Sequence, residues 1–241
     1  MIFRQLFDHD SSTYTYLLAD EETREAALVD PVVEQAARDL ELVSQLGLTL
    51  AYVLDTHVHA DHVTAAARLR EETGARTVAG RGGAPCADVL VDAGDVLRFG
   101  RVGLRVLPTP GHTDDSVSFL LVDPAVPQHA GDRVFTGDAL LVRAAGRTDF
   151  QNGDAGRLYE SITRELFTLP EATLVYPAHD YLGRTVTTIA EERRWNARIA
   201  GRSREEFMAV MNALHLPEPK RIREAVPANR ACGRIPMPVQ G

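Results

Sequence analysis

The chain has 241 residues, of which 26 are Lys or Arg and 34 are Asp or Glu, so its formal net charge is −8. Its length can bury a full hydrophobic core, and 44% hydrophobic with 25% charged residues is typical of a soluble globular protein. The acidic balance argues against nucleic acid or an anionic membrane as the main partner. No apolar run approaches the ~20 residues of a membrane span.

The first part of the chain predicts short strands separated by polar turns, with two helices. The predicted strands are Ile2–Leu6, Tyr14–Ala19, Ala26–Val29 and Leu50–Leu54. A helix is expected after Asp30-Pro31, where a capping residue precedes a proline, and Gly47 ends it. A second helix is expected over His62–Thr73, with Gly74 as its stop.

The remaining chain continues this alternation of strands and helices. The predicted strands are Arg76–Val78, Val102–Leu107, Ser116–Val122, Val134–Thr136 and Thr173–Tyr176, and the predicted helices are Gly156–Phe167, Thr187–Ala200 and Arg204–Leu214. Two successive halves of this kind indicate an α/β protein in which two sheets pack face to face with helices outside, a four-layer αββα sandwich. We expect a single domain over residues 1–241, with an irregular, Pro-rich tail over about 217–241.

The rarer residue types exclude several chemistries. Lys220 is the only lysine, so neither a P-loop nor a lysine placed for Schiff-base chemistry is available. The two cysteines, Cys86 and Cys232, are too few for a disulfide framework or a Cys-rich zinc site. We assign them structural roles, expect Cys86 to be buried, and take a reducing, cytoplasmic setting as the default.

Histidines dominate the motif H-x-H-x-D-H, which follows the strand that ends at Leu54. In an extended segment, side chains two positions apart point to the same side, so His57 and His59 can face one ion. Asp61 and His62 follow where the chain turns into the next predicted helix, so we expect their side chains to point into the same site. Imidazoles with a carboxylate suit Zn, Fe or Mn rather than Ca. The motif therefore predicts a transition-metal site.

Three further loops place a His or Asp just after a strand. They contain His112 in Pro-Gly-His-Thr, Asp138 in Thr-Gly-Asp, and His179 in Tyr-Pro-Ala-His-Asp. In α/β folds, site residues collect beyond the carboxyl ends of strands. We therefore expect all three side chains near the first motif.

These ordered motifs resemble those of the metallo-β-lactamase fold superfamily, and the resemblance covers nearly the whole chain. The superfamily contains both hydrolases and oxidoreductases, so the motifs indicate the fold but not the reaction. Three segments resemble one branch, the persulfide dioxygenases: Gly137–Asp154, Tyr176–Arg198 and Phe207–Gly233.

This resemblance implies one Fe(II) per chain, with His57, His112 and Asp138 as its ligands. Such a two-His, one-carboxylate triad leaves open positions for substrate sulfur and O₂. By the same resemblance, His59, Asp61, His62 and His179 orient the ligands and shape the pocket. The implied reaction oxidises glutathione persulfide with O₂ to sulfite and glutathione.

The two carboxylates of glutathione call for basic side chains near the metal. We predict Arg147, Tyr181 and Arg198 as substrate contacts, because Arg147 closely follows Asp138, Tyr181 closely follows His179, and Arg198 lies on a helix that can return to the site. Ala144-Ala145-Gly146-Arg147 departs from the Gly-Cys-Gly-Arg of many members, and Asp123–Asp132 is a longer loop than expected, placed at a hairpin end away from the metal.

Two other functions remain open at this point. One is a glyoxalase II-like thioester hydrolase, in which all seven residues hold two metals around a hydroxide nucleophile. The other is a binding module without catalysis. For partners, we expect a monomer or homodimer and a possible separate sulfurtransferase, with neither nucleic acid nor membrane.

Overall fold

The computed structural model describes residues 1–123 and 132–234 and contains two six-stranded sheets. The first sheet follows chain order, with β1 (Ile2–Asp8), β2 (Thr13–Ala19), β3 (Glu25–Val29), β4 (Thr49–Leu54), β5 (Arg76–Gly80) and β6 (Val89–Val91). The second contains β7 (Val96–Phe99), β8 (Val102–Pro108), β9 (Val117–Val122), β10 (Arg133–Gly137), β11 (Leu174–Pro177) and β12 (Thr187–Thr188), also in sequential order.

Each sheet combines antiparallel hairpins with parallel strands. In the first sheet β1, β2 and β3 pair antiparallel, and β3 through β6 pair parallel. In the second sheet β7 through β10 pair antiparallel, and β10 pairs parallel with β11. As a result β8, β10 and β11 run in the same direction, and their carboxyl ends lie at one edge.

Six α-helices of the described residues flank the sheets. They are α1 (Ala36–Gln45), α2 (Ala66–Thr73), α3 (Ala155–Ser161, extended by a π-helical segment over Ile162–Leu166), α4 (Ile189–Trp195), α5 (Arg204–Asn212) and α6 (Ile222–Arg230). Alternation along β2 shows the layering: Tyr16 and Leu18 face the other sheet, whereas Leu17 packs towards α1 and α2.

Three apolar clusters fill the spaces between these layers. The central one joins both sheets through buried aromatic side chains, including Tyr16, Phe119 and Phe135. A second cluster joins the first sheet to α1 and α2, and a third joins the second sheet to α3 and α5. The order of layers is therefore helix, sheet, sheet, helix, which confirms the predicted αββα architecture.

The structure corrects the predicted irregular tail. Helix α6 occupies Ile222–Arg230 despite Pro227 in its interior, which is unfavourable for a helix. Ala225, Ala228 and Asn229 share the buried face of α6, and the two alanines pack on Val63. Burial of this face outweighs the local cost of the proline. The sequence prediction relied on the prolines and therefore expected an irregular segment. Residues 235–241 of the predicted tail lie outside the described residues, as do residues 124–131 of the predicted long loop.

The cysteines also differ from the prediction. Cys86, expected to be buried, is exposed, and it forms a disulfide with buried Cys232. The two residues are 146 positions apart in the chain, so no local pattern announces the pairing. Disulfides are uncommon in reducing compartments. This bond therefore counts against the reducing, cytoplasmic setting that was expected from the low number of cysteines. Within the described residues, no helix has the length and apolarity to cross a membrane.

Candidate metal centre

The carboxyl ends of three strands bring the three predicted ligands together. His57 follows β4, His112 lies between β8 and β9, and Asp138 follows β10. One ligand atom from each of these three residues lies within 4.8 Å of the others. The Nε2 of His112 is 3.5 Å from Oδ2 of Asp138. The other oxygen of Asp138, Oδ1, is buried and has no hydrogen-bond partner among the described residues, as expected of an atom placed for a cation.

Hydrogen bonds fix which nitrogen of each imidazole faces this centre. The hydroxyl of Thr56 donates to Asp30 Oδ2 (2.9 Å), so it accepts from Nδ1–H of His57 (2.9 Å). Nδ1–H of His112 donates to the carbonyl of Arg147 at 2.6 Å. Both rings therefore turn a free Nε2 towards the centre, which is how outer partners orient metal-binding histidines. Burial, with the neighbouring imidazoles, lowers the pKa of His57 well below its usual value and keeps it neutral.

A second group lies beside the first. His59, Asp61 and His179 also offer one ligand atom each within 4.8 Å. Nδ1 of His62 is 3.0 Å from Oδ2 of Asp61, and Nε2 of His179 is 3.5 Å from the same oxygen. His179 also lies 3.7 Å from Oδ1 of Asp138 and so connects the two groups. The structure therefore brings together all seven residues of the predicted site.

The second group is held by its own charges. Desolvation opposes ionisation of Asp61, but His179 and His62 hold the pKa of its carboxyl well below the usual range. Burial alone would lower the pKa of His59, whereas the adjacent Asp30 carboxylate, 3.1 Å from its Nε2, raises it to about 10. This group is an ion-pair network whose negative charges already have partners.

A cleft of about 430 Å³ opens over the centre. This volume is within the range of small-molecule sites. His112, Asp138, Asp61 and His179 line its floor, and the predicted substrate residues line its walls: Arg147, Tyr181 and Arg198. The three predicted substrate residues thus line the same cleft as the metal-ligand side chains, and their contact with substrate stays a prediction.

Arg147 is more constrained than predicted. Its guanidinium pairs with both carboxylate oxygens of Asp149 (2.7 and 2.8 Å) and donates to the carbonyls of Leu216 and Pro217 (3.1 and 2.6 Å). Four of its five N–H groups are thereby used. The geometry makes Arg147 a brace for the segment 216–220, with little left for a ligand.

Arg198 and Tyr181 are freer. The NH1 of Arg198 contacts the carbonyl of Ala145, and no bond to another described residue occupies its Nε and NH2 groups. Burial lowers the pKa of Arg198, and Asp138 opposes that shift. The ring of Tyr181 stacks on His179, with centroids 6.2 Å apart, and is 72% exposed.

The sequence analysis did not predict that residues 216–220 form part of the cleft wall. Leu216, Pro217, Glu218, Pro219 and Lys220 all line the cleft. Lys220 is exposed and has no ion pair with any described residue. Its uniqueness in the chain and its flanking prolines were visible signals, but only the brace from Arg147 places it at the site.

Gly146 is the one glycine of the expected Gly-Cys-Gly-Arg pattern that this chain keeps. A Cβ at this position would lie 2.4 Å from the Asp138 carbonyl and 2.8 Å from Nδ1 of His112. The glycine that remains is the position where the backbone approaches the metal ligands, whereas buried Ala145 occupies the place of the cysteine.

Comparison with known proteins identifies the family. A model of the metallo-beta-lactamase superfamily matches residues 10–85 and 87–179. The mitochondrial persulfide dioxygenase ETHE1 of Mus musculus is 49% identical over 234 residues, which cover 97% of this chain and 89% of that protein. The crystal structure of ETHE1 from Myxococcus xanthus superposes with a TM-score of 0.93 at 64% identity, covering 97% of this chain and 100% of that one.

A more distant neighbour bears on the metal. The structure of TTHA1623 in a di-iron-bound form superposes with a TM-score of 0.63 at 27% identity, covering 80% of this chain and 98% of that one. The fold can thus hold iron in that protein. From the family model and the extent of the match to the ETHE1 proteins, this chain belongs to the metallo-beta-lactamase superfamily and, within it, to the persulfide dioxygenase family.

Proposed function

We propose that this protein is an iron-dependent persulfide dioxygenase that oxidises glutathione persulfide with O₂ to sulfite and glutathione. The observation that carries the proposal is the triad of His57, His112 and Asp138 at the floor of the cleft, in a chain about half identical to persulfide dioxygenases. Two imidazoles and one carboxylate are the ligand set of non-haem Fe(II) oxygenases. We assign one Fe(II) per chain to these residues.

The donor set and its surroundings fit this metal. When bound, Fe(II) supplies open coordination positions and the redox chemistry that O₂ requires, which Zn²⁺ does not. Thr56 and the Arg147 carbonyl bind Nδ1 of His57 and of His112, which leaves the two Nε2 atoms as the ones that would bind the ion. Asp138 contributes the negative charge through an oxygen that has no hydrogen-bond partner among the described residues.

The adjacent network has a supporting role in this proposal. His59, Asp61, His62 and His179 are held in ion pairs that keep Asp61 ionised and His179 beside Asp138. A carboxylate that is already paired with two imidazoles attracts a second cation less strongly than an unpaired one. These residues therefore orient the ligands and shape the floor of the cleft.

The walls of the cleft suit an anionic peptide-like thiol. Glutathione has two carboxylates, and the planar Arg198 guanidinium can donate to one of them through Nε and NH2. Tyr181 offers a ring face and a hydroxyl beside the metal floor. Arg147 acts on the substrate chiefly through the wall that it braces. The persulfide sulfur then points towards His112 and Asp138.

A glyoxalase II-like thioester hydrolase is the second candidate. One observation favours it: His59, Asp61 and His179 lie close enough to hold a second metal, and two such ions could share a hydroxide. The ion pairs within that group favour the mononuclear alternative.

Oxygen uptake by the Fe-loaded protein tests the proposal. We expect O₂ consumption and sulfite release with glutathione persulfide, at one iron per chain, and no O₂ consumption by the Zn-loaded protein. Hydrolysis of a glutathione thioester by a protein that holds two zincs per chain, without persulfide oxidation, would overturn the proposal in favour of the hydrolase.

Four further points belong to the proposal. We propose a single domain, supported by the aromatic cluster shared by both sheets, and either a monomer or a homodimer. A separate sulfurtransferase would supply the persulfide. A cytoplasmic location stays a prediction. Because disulfides are uncommon in reducing compartments, a count of free thiols in the purified protein, which tests whether Cys86 and Cys232 are joined, bears on this prediction.

A further inference from the structure

The segment that carries the first motif depends on the C-terminal helix for its shape. Residues 55–65 form neither helix nor strand. The buried side chain of Asn229, on α6, makes three hydrogen bonds to the backbone of this segment. Its Nδ2 donates to the carbonyls of His59 (2.9 Å) and His62 (2.8 Å), and its Oδ1 accepts from the N–H of Thr64 (2.8 Å).

The residues after Asn229 tighten the same junction. The carbonyl of Cys232 accepts from the N–H of Ala67 at the start of α2 (2.8 Å). Gly233 packs so closely that a Cβ there would lie 2.2 Å from the Thr64 carbonyl. Ala225 and Ala228 of α6 cover Val63. Within the described residues, the stretch from Ala225 to Gly233 therefore packs against the motif.

Only one covalent bond besides the main chain secures this arrangement among the described residues. Cys232, three positions after Asn229, is joined to Cys86 in the connection between β5 and β6. Before α6, the largely exposed segment 213–221 is held by the Arg147 bonds to the carbonyls of Leu216 and Pro217 and by the ion pair of Arg221 with Glu34, all of them non-covalent. The disulfide thus fixes the far end of α6 to the first sheet.

We propose that Asn229 is a positioning residue for the metal-ligand segment 57–62, and that the Cys86–Cys232 disulfide keeps it in place. The two carbonyls that Asn229 binds are those of His59 and His62, so loss of these bonds loosens the part of the segment that directly follows His57, whereas Asp30 and Asp115 hold the N–H groups of Thr56 and Val58. Reduction by a thiol transfers two electrons and two protons to the cysteines while two thiols become a disulfide, and it releases the end of α6. Metal retention then depends on the thiol state of the protein.

The inference rests on the part of the proposed function that places a metal at His57, and it requires no persulfide. Asn229→Asp keeps an acceptor for Thr64 but removes both donors. Asn196→Asp is a matched control, because buried Asn196 likewise donates twice, to Ala144 and Glu192, and accepts once from a backbone N–H. Both proteins are loaded with Co(II), and release to an excess of a coloured chelator is timed.

We expect Asn229→Asp to release Co(II) about 10- to 100-fold faster than wild type, the scale of outer partners of metal ligands. Its visible Co(II) bands should shift, and amide exchange over residues 55–65 should accelerate, while Asn196→Asp matches wild type in all three. Wild-type release, spectrum and exchange in Asn229→Asp, or equal changes in both variants, would overturn the role of Asn229. A wild-type protein that binds no Co(II) would instead contradict the proposed function, whereas the exchange measurement would still test the inference.

The disulfide is tested with Cys86→Ser, an exposed position that leaves Asn229 intact. We expect this variant, and wild type treated with a phosphine reductant, to release Co(II) several-fold faster than untreated wild type. The reductant should not accelerate release from Cys86→Ser, which controls for direct action on the metal. Equal release from oxidised and reduced wild type would show that the disulfide does not hold the segment.

Discussion

The two neighbouring groups of metal-ligand side chains differ in what their imidazoles already bind. In the triad, Thr56 and a backbone carbonyl take the outward nitrogens of His57 and His112, and the inward Nε2 of His112 faces only the triad's own Asp138, at 3.5 Å. In the second group, nitrogens of His59, His62 and His179 face the carboxylates of Asp30 and Asp61. The same residue types thus form an open cation site in one place and a charge-compensated network in the other. The partner of each ring, rather than the ligand motif, makes the difference.

The largest effect is expected from Asp138, the carboxylate on the open side of this comparison. Asp138→Ala removes the only negative ligand of the triad, so we expect metal affinity to fall by more than about 100-fold, beyond the usual loss for an outer partner, with activity lost as well. Elemental analysis after dialysis measures the metal content. Asp114→Ala, an exposed carboxylate in the His112 loop, should keep one metal per chain. An Asp138→Ala protein that still holds one tight metal would break the comparison.

A smaller effect is expected in the compensated network. His59→Ala removes an imidazole whose described charge partner is Asp30, and His179→Ala removes one beside Asp61 and Asp138. We expect each change to weaken metal binding or slow turnover by about 10- to 100-fold. Calorimetric titration of the metal-free protein with Fe(II) under anaerobic conditions gives both affinity and stoichiometry. Two equally tight metals in wild type, one of them lost in either variant, would make the network a second metal site.

The sequence anticipated the positions of these groups better than their surroundings. His112, Asp138 and His179 follow strands of the second sheet that run in one direction, and His57 follows β4 of the first sheet, so in each case the local pattern of a strand followed by a His or Asp sufficed. The predicted helix over His62–Thr73 starts only at Ala66, because the preceding residues are held by Asn229 from the far end of the chain. The disulfide was missed for a similar reason, because 146 positions separate Cys86 from Cys232 in the chain.

The cleft was harder to predict for a similar reason. The wall over residues 216–220 exists because Arg147, about 70 positions earlier, binds two of its carbonyls. A proline-rich stretch has no periodicity from which such a contact could be inferred. Arg147 itself was correctly placed at the cleft, but Asp149 and these carbonyls occupy the groups with which it was expected to grip a ligand.

Arg198 separates binding of substrate from binding of metal. Arg198 lines the cleft, and no bond to a described residue occupies its Nε and Nη2, so Arg198→Ala should raise KM for glutathione persulfide about 10-fold, equivalent to about 1.4 kcal/mol, while the metal content stays at wild type. Steady-state O₂ uptake over a range of substrate concentrations gives KM and kcat separately. Arg193→Ala on α4, whose described ion pair is an exposed one with Glu171, serves as the control. Loss of metal in Arg198→Ala would place this residue in the support of the centre instead.

The smallest effect is expected at Lys220, where the cleft meets solvent. Lys220 has no ion pair with a described residue, so Lys220→Ala removes charge from the rim without breaking a structural contact. Exposed charges act weakly and are screened by salt, with a Debye length of about 10 Å at 0.1 M and about 3 Å at 1 M. We therefore expect KM to rise about two- to threefold at low ionic strength and to converge with wild type at high ionic strength. Lys220→Glu should raise KM further under the same low-salt conditions, because the rim already contains Glu218 and a second carboxylate would repel an anionic substrate. Oxygen uptake measured at several salt concentrations, with metal content as the control, distinguishes this from a packing effect, which salt does not remove. A KM that is unchanged in both variants would mean that the substrate carboxylates lie deeper, against Arg198 alone.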